Sequence, residues 1–531
     1  MTIDYLSFTE AGIFSKFDTD FANHHPNLAD FQSYSSSLDG LEQAASERSK
    51  FKIDRNLLVN TLERQYKALN MTPANKGAIS ALNDDKTFTI TTAHQPVLFT
   101  GPIYFIYKAI SAISLSRRLN DHLPNNRIIP MMVIGGEDHD KEEIDHLHIF
   151  GKTVRWATKQ SGPCGRFSLS DIQPVIEQLL GILGESPHAL ELKDMISSSF
   201  LQDRSYGQAM QHFVHQLLGP YGIIVINMDD HELKKAFIPI LKDEIQNQTS
   251  KNIITKTQAQ IEATGYKPAT FLRDINVFYL SEGERSRIEL EGGKYIVQDG
   301  GPTFTPEAIV EEIEKNPENF SPNVNMRPLY QELILPNLAY VGGGGELAYW
   351  TERKSHFDYY DIHYPVLIRR DSAFWLDKGM VKKMSKVGLA FNDFLQDVDS
   401  IISDYIDREA QNEIHIDNEI KAIQKVLDAI TEKGATVEHT LKPAFEAEST
   451  KILKSLDQMA SRMVREEKKN HEITINQIRQ IKDKLFPNGN IQERHDNFMT
   501  FYLKYGRKLF ETLLHQFDPL RNELKIIRDD G

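Results

Sequence analysis

Five short apolar or β-branched runs, each with polar, charged or glycine residues just beyond it, constrain this chain more than any other feature. They are Thr87–Thr92 (TFTITT), Ile128–Ile134, Tyr221–Asn227 (YGIIVIN), Leu338–Val341 and Pro365–Ile368. Runs this short and continuous read as strands buried on both faces, the habit of parallel sheets. Between the first two lies Ile103–Leu119, with apolar residues at helical spacing and basic residues at its end. The alternation predicts an α/β fold, a parallel sheet with helices on both faces.

The residues just beyond each run are as informative as the run itself. Ile134 is followed by two glycines and then Glu137, Asp138, His139 and Asp140. Val341 enters Gly342–Gly345, and Ile368 is followed by Arg369, Arg370 and Asp371. Open α/β sheets bind ligands beyond the carboxyl ends of their strands, so Glu137–Asp140 is expected on the lip of a crevice. Asp138 or Asp140 can equally cap the next helix, and both roles can coexist on different residues.

The pattern changes after about residue 395. Ile416, Ile420, Ile423, Leu427 and Ile430 are spaced 4, 3, 4, 3, and Ile452, Leu456, Met459 and Met463 repeat the spacing. Ile478, Ile481 and Leu485 continue the stripe. Two long antiparallel helices of coiled-coil type, joined near Gly434, are expected, with a packed bundle as the alternative. Pro487-Asn488-Gly489-Asn490 ends the helical stretch, and Phe498, Phe501, Tyr502 and Tyr505 are expected to pack back on the main body. This divides the chain into an α/β core over 1–395, a coiled coil over 396–486 and a returning tail over 487–531.

With 61 basic and 75 acidic residues in 531, the net charge is −14, which disfavours a nucleic-acid binder. Hydrophobic residues make up 40% and charged residues 26%, as in ordinary soluble globular proteins. Cys164 is the single cysteine, so neither an internal disulfide nor a Cys-rich zinc site can form, and it reads as a turn residue. The N-terminal stretch lacks a signal-peptide pattern, and no apolar run approaches the roughly 18 residues of a membrane span. A cytoplasmic protein is expected.

Three constellations carry possible chemistry. The first is the acidic knot, where Asp138, His139, Asp140, Glu143, His146 and His148 are metal-donor types without an HExxH spacing. No dedicated metal site is expected; a nucleotide-bound magnesium on one or two carboxylates fits better. The second is the loop holding His94, Gln95, Thr100 and Gly101 before a helix that carries Lys108, where free amides attract phosphate or carboxylate. The third is Gly342–Gly345 with Glu346, where glycine allows amides close to an anion. It completes neither the G-x-G-x-x-G nor the Walker pattern. Lys383-Met384-Ser385-Lys386 spells a class I synthetase signature, but inside a helical pattern it reads as coincidence.

Longer motifs then converge on one family. TTAHQPVLFTGPIYFIYKAISAI, VIGGEDHDKEEIDH, SPNVNMRPLYQELILPNLAYVGGGGELAYW and FPNGNIQERHDNF resemble, in order, the segments of the cysteine-adding enzymes of bacillithiol biosynthesis. The likeness runs through almost the whole chain. Ala93 stands where that family usually has glycine, and Pro96 fixes the chain just after the His-Gln pair.

The resemblance implies a Rossmann-like nucleotidyltransferase core related to class I aminoacyl-tRNA synthetases, with an inserted antiparallel coiled coil that makes a homodimer. It implies a ligase joining L-cysteine to glucosaminyl malate by an amide bond, with ATP activating the cysteine carboxylate as an acyl-adenylate and Mg2+ accompanying the nucleotide. On this reading His94 and Gln95, with the helix start beyond them, bind phosphates. Asp138, His139 or Asp140 holds the substrate ammonium or takes its proton. Arg327 and Gln331 clamp a carboxylate, and Tyr349 and Trp350 wall a base or sugar. Thr100, Gly101, Tyr104, Lys108, Asn323 and Glu346 join the substrate contacts, and Gly342, Gly343 and Gly344 the nucleotide contacts. Two other classes stay open: a metal-dependent hydrolase built on Glu137–Asp140, and a non-catalytic coiled-coil scaffold.

Overall fold

The computed structural model describes residues 1–410 and 415–529. The chain forms two compact units, the larger built from 4–374 and 493–526, the smaller from 1–3, 375–492 and 527–531.

The five apolar runs of the larger unit form one sheet. Its strands are β1 (Thr87–His94), β2 (Arg127–Ile134), β3 (Ile224–Asn227), β4 (Asn337–Gly342) and β5 (Val366–Arg369). Their order is β5-β4-β1-β2-β3 and every pairing is parallel. The register from Thr87↔Arg127 to His94↔Ile134 carries β1 and β2 to the same edge, where Asn227, Gly342 and Arg369 also end. The chain runs outward from β1 to β3 and then returns to the other side of β1. The order therefore reverses between β1 and β4, the place where such sheets open a crevice.

Alternation along the strands feeds two apolar layers. Phe88, Ile90, Val366 and Ile368 pack with Ala112, Leu115 and Leu119 of α1 (Tyr104–His122). Ile129, Met131, Val133, Ile224 and Ile226 pack in the layer that holds Phe237, Leu241 and Ile245 of α2 (His231–Asn247). Each fully buried Leu or Ile contributes about 1.5–3 kcal/mol, so α1 is held by its sheet-facing side rather than by propensity.

A second, antiparallel sheet interrupts the α/β pattern between β3 and β4. It comprises Val277–Ser281, Glu284–Glu291, Lys294–Val297, Thr303–Phe304 and Phe320–Pro322. Gly292 and Gly293 have φ of 56° and 77°, the conformation of a two-residue hairpin turn that side chains resist. The tail joins this unit: Ile103 N–H donates to the Asp496 carbonyl at 2.7 Å, and the Phe498 ring lies 6.5 Å from that of Phe213.

The smaller unit is helical. Its long helices are α4 (Asp417–Val437), α5 (Leu441–Asn470) and α6 (Glu472–Leu485); α3 (Gly344–Thr351) belongs to the larger unit. The joint expected near Gly434 falls at 438–440, because α4 continues to Val437 before α5 begins. Gly434 is instead a packing glycine, where a Cβ would come within 2.6 Å of the Phe445 ring. In α6, Ile475, Ile478, Ile481 and Leu485 are buried. The KMSK stretch lies within the helix Lys378–Val387, capped by Asp377, as its pattern implies.

Candidate functional site

A cavity of about 420 Å³ opens at the carboxyl edge of the parallel sheet. Its lining includes His94, Gln95, Tyr104, Lys108, Asp138, Asn323, Arg327, Gly343, Glu346 and Tyr349, so residues spread over 94–349 share one crevice. Thr100, Gly101, His139, Asp140, Gln331, Gly342, Gly344 and Trp350 do not line it.

His94 ends β1. Its Nδ1 lies 2.9 Å from the Gln95 carbonyl, which only accepts, so Nδ1 carries the proton. Nε2, 2.9 Å from the Tyr104 hydroxyl, is then the acceptor. Burial, aided by the Lys108 charge, pushes the imidazole down to about 4, and it stays neutral. His94 therefore orients Tyr104 and has no spare N–H for a phosphate. Gln95 donates to Glu143 at 2.8 Å. Lys108, buried one turn into α1, donates to the Ala93 carbonyl and to Glu346.

The rest of that loop is structural. Gly101 has φ of 54° and sits against the Val97 side chain, where a Cβ would clash. Asn497 Nδ2 donates to the Gly101 carbonyl at 2.6 Å and the Phe99 carbonyl at 3.1 Å. This brace buries Thr100 and Gly101 beneath the tail, away from the crevice.

The acidic knot comes after β2. Gly136 and Gly165 make the turn possible, because a Cβ on Gly165 would sit 2.6 Å from Gly136 Cα. Cys164 N–H donates to the Asp138 carbonyl at 2.7 Å, so the cysteine turn anchors the knot. Burial pushes the Cys164 thiol up to about 12, where it remains protonated. Glu137 is ion-paired with buried Lys234, and burial, the dominant influence, raises its carboxyl. Asp140 caps the short helix Lys141–Ile144, accepting from Glu143 N–H at 3.3 Å. His146 pairs with Asp145 at 2.9 Å, and His148 stacks on His495 with ring centroids 4.1 Å apart. The donor types of the knot thus turn to separate partners, and among the described residues no three form a metal-holding group.

The tetraglycine turn meets anions, but they are the protein's own. Gly343 N–H donates to Glu346 Oε2 at 2.9 Å, capping α3, and Gly344 lies against the Asp18 carboxylate. Asp18 in turn accepts from Arg369 Nε at 2.6 Å. Burial alone would lift the Glu346 carboxyl, but Lys108, Gly343 N–H and the Tyr340 hydroxyl hold it at about 2.

Three arginines supply the cationic side. Arg327 donates to the Tyr349 hydroxyl at 2.7 Å. Arg370, just past β5, donates to Glu493 at 2.6 Å, while its Nε is buried without a partner among the described residues. The Arg370 and Arg494 guanidinium groups lie 5.3 and 5.8 Å from the centroid of the Tyr104 ring. Arg285 reaches the crevice from the antiparallel sheet. Sequence reasoning singles out neither Arg370, Arg494 nor Arg285 for the site. Arg370 directly follows a strand and Arg494 lies in the QER motif, whereas Arg285 carries no such signal.

The remaining expectations fall elsewhere. Asn323 lines the crevice and donates to Asn276 at 3.1 Å. Gln331 is buried and donates to Glu332 at 2.8 Å. Trp350 is core, its ring stacked 4.4 Å from that of Tyr340. The crevice as a whole combines a neutral histidine with arginine and carboxylate side chains in its lining. Such polarity suits a ligand bearing both anionic groups and an ammonium.

Comparison with known proteins bears on both units. The family model "Bacillithiol biosynthesis BshC, N-terminal Rossmann-like domain" matches residues 1–371, and "Bacillithiol biosynthesis BshC, C-terminal coiled-coil domain" matches 373–528. A Flavobacterium johnsoniae protein named "Putative cysteine ligase BshC" is 34% identical over 529 residues, spanning 99% of this chain and 100% of its own. A Cytophaga hutchinsonii protein of the same name is 34% identical, covering 98% and 97%. One from Bacillus thuringiensis subsp. konkukian is 26% identical, covering 97% and 98%.

Proposed function

The chain belongs to the BshC family of bacillithiol biosynthesis, and from that premise we propose that its crevice joins L-cysteine to glucosaminyl malate through an amide bond. The observation that supports this most is that one crevice is lined by both guanidinium and carboxylate groups: Arg327, Arg370 and Arg494 with Glu137, Asp138 and Glu143. The malate carboxylates suit the guanidinium groups, which bind carboxylates in bidentate fashion. The glucosamine ammonium suits the carboxylates. The neutral His94–Tyr104 pair offers an oriented hydroxyl in the same crevice.

Amide formation from a carboxylate needs an activated acyl donor, and ATP would supply that activation. The residues present fit such a group through their arginines: Arg370 keeps a buried, unpartnered Nε, and Arg494 makes no hydrogen bond among the described residues. The tetraglycine turn does not serve this purpose, because Glu346 already takes the Gly343 amide. Glu143 would help hold a nucleotide-bound Mg2+.

The smaller unit supports a further part of the reading, a homodimer through the coiled coil. Val426, Ile430, Ile452 and Met459 on α4 and α5 are 44–59% exposed, a stripe of apolar side chains left on a heptad pattern. Among the described residues no helix is long and apolar enough to cross a membrane. We place the reaction in the cytoplasm.

The test is incubation of the purified protein with L-cysteine, glucosaminyl malate and ATP, followed by mass spectrometry. A product equal to the two substrates minus water, with AMP released, is expected. Folded protein that gives no product with or without ATP would sink the ligase reading. Product that survives chelation of transition metals separates it from a metal-dependent hydrolase run in reverse.

A further inference from the structure

We propose that Arg285 is a positioning residue of the crevice: it holds His139 as a hydrogen-bond donor and leaves Asp138 as the carboxylate that receives the acceptor's ammonium. The identity of that ligand rests on the ligase reading above; the state of His139 does not.

The antiparallel sheet explains how Arg285 arrives there. Its register pairs Leu280 with Arg285 and Phe278 with Ser321, and Phe278 and Leu280 lie two apart on one strand. Phe278, Ser321 and Arg285 therefore share one face. The guanidinium lies 4.1 Å from the Phe278 ring centroid, and Nε donates to Ser321 Oγ at 3.2 Å. With its side chain 8% exposed, Arg285 is a fixed cation delivered by an element outside the parallel sheet.

Hydrogen-bond logic then assigns its neighbours. Arg285 Nη1 lies 3.0 Å from His139 Nδ1. A guanidinium has no acceptor, so Nδ1 must offer its lone pair and the imidazole proton sits on Nε2. His139 can donate from Nε2 but has no lone pair left for an ammonium proton. Asp138 Oδ1 accepts from the backbone N–H of His139 at 2.7 Å and of Asp140 at 3.4 Å, and lies 3.6 Å from Arg285. Oδ2 makes no hydrogen bond among the described residues, and Asp138 lines the cavity. Burial opposes its charge, but the His139 backbone N–H and the Arg285 guanidinium favour it, and the carboxyl is held below the usual range. Of the other carboxylates, Glu137 is committed to Lys234, Glu346 to Lys108 and Asp140 to its helix cap, while Glu143 accepts from the Gln95 amide at 2.8 Å and has no backbone N–H or arginine fixing it among the described residues.

Two measurements decide this. In protein labelled with [15N]histidine, the His139 signals are those lost in H139Q. Wild type should show Nδ1 unprotonated and Nε2 protonated; in R285Q, with nothing donating to Nδ1, the Nδ1-protonated tautomer should appear beside it, and R285K should restore the wild-type pattern. A wild-type His139 protonated on Nδ1 would overturn the assignment. Calorimetry with glucosaminyl malate and its N-acetyl derivative reads the second half. Wild type should favour the free amine about tenfold or more, and R285Q and D138N should lose the preference. Equal binding of both compounds by wild type would overturn the role of Asp138 even with turnover intact. Failure of turnover with the predicted tautomer and amine preference in place would instead remove the ligase reading and leave Arg285's role standing.

Discussion

Lys108 and Glu346, 238 residues apart in sequence, meet at 2.8 Å where β1 and β4 deliver their following helices. The lysine side chain is 1% exposed, the glutamate 26%. The pair closes the floor of the crevice, and its two halves should respond unequally to mutation. Glu346→Gln leaves the buried Lys108 charge without its counter-ion and should cost about 3 kcal/mol. Lys108→Met should cost less, because Glu346 keeps Gly343 N–H and the Tyr340 hydroxyl. Chemical denaturation of the two variants measures the order. The pair also predicts an acid limb. Held at about 2 in the fold against 4.5 outside it, Glu346 stabilises the protein above about pH 4.5, and that contribution is lost as pH falls toward about 2. E346Q should flatten this limb.

Arg370 and Arg494 flank the same tyrosine ring yet should separate cleanly. Arg370 and Glu493 are a buried pair, their side chains 1% and 2% exposed. Arg370→Ala strands the Glu493 carboxylate and should cost about 3–5 kcal/mol of stability. Arg494 is exposed, so Arg494→Ala should change stability by less than about 0.5 kcal/mol. Its effect should appear as an increase of about tenfold in KM for the substrate whose anion it meets. Thermal melts alongside steady-state kinetics check both; an unchanged KM in R494A would remove that arginine from the site.

The five strands are legible because short apolar or β-branched runs, alternating with helical stretches, fit a buried parallel sheet. Within Ile128–Ile134, Ile129, Met131 and Val133 feed one layer and Ile128 the other. The crevice is legible too, from the rule that such strands open at their carboxyl ends. The electrostatic sense of its residues is not. His94 reads as a phosphate donor, but its proton is fixed by the Gln95 carbonyl and its lone pair by Tyr104, contacts that depend on loop geometry. The glycine turn keeps its physics but finds its anions in Glu346 and Asp18, one of them more than 300 residues away in sequence. Trp350 and Tyr349 are neighbours on one helix that face opposite ways, one into core and one into the crevice, and composition cannot tell them apart. Arg285 lies in a strand of alternating polar residues, whose pairing partners alone give it a direction.

Glu332 makes a prediction remote from the crevice. Its side chain is buried; Oε1 accepts from Gln331 and Asn337 at 2.8 and 3.0 Å, and Oε2 has no partner among the described residues. Burial pushes the carboxyl up to about 7 despite those two amides and Arg48. A carboxyl raised in the fold favours folding fully below its ordinary value of 4.5, and that advantage is lost as pH rises through about 7. The span corresponds to about 3 kcal/mol. Glu332→Gln keeps an acceptor for both amides and removes the charge. The variant should therefore be more stable than wild type above about pH 7, with the two converging below about pH 4.5. Urea unfolding at several pH values tests it, and parallel curves for the two proteins would contradict the buried carboxyl.

The stripe on α4 and α5 yields the last prediction. Ile430 and Met459 are 49% and 54% exposed, on helices whose other surfaces are charged. A second copy of the chain would remove this area from water at about 25 cal/mol per Å² of apolar surface, while one added carboxylate at its centre would oppose burial. The chain of 60.8 kDa should then sediment at twice that mass, and Ile430→Glu combined with Met459→Glu should return it to one. Because both positions are on the surface of the smaller unit, the double variant should keep its helical circular dichroism. A wild type that sediments as a single chain at micromolar concentration would set aside the dimer without touching the chemistry proposed for the crevice, since every residue lining that cavity belongs to the larger unit.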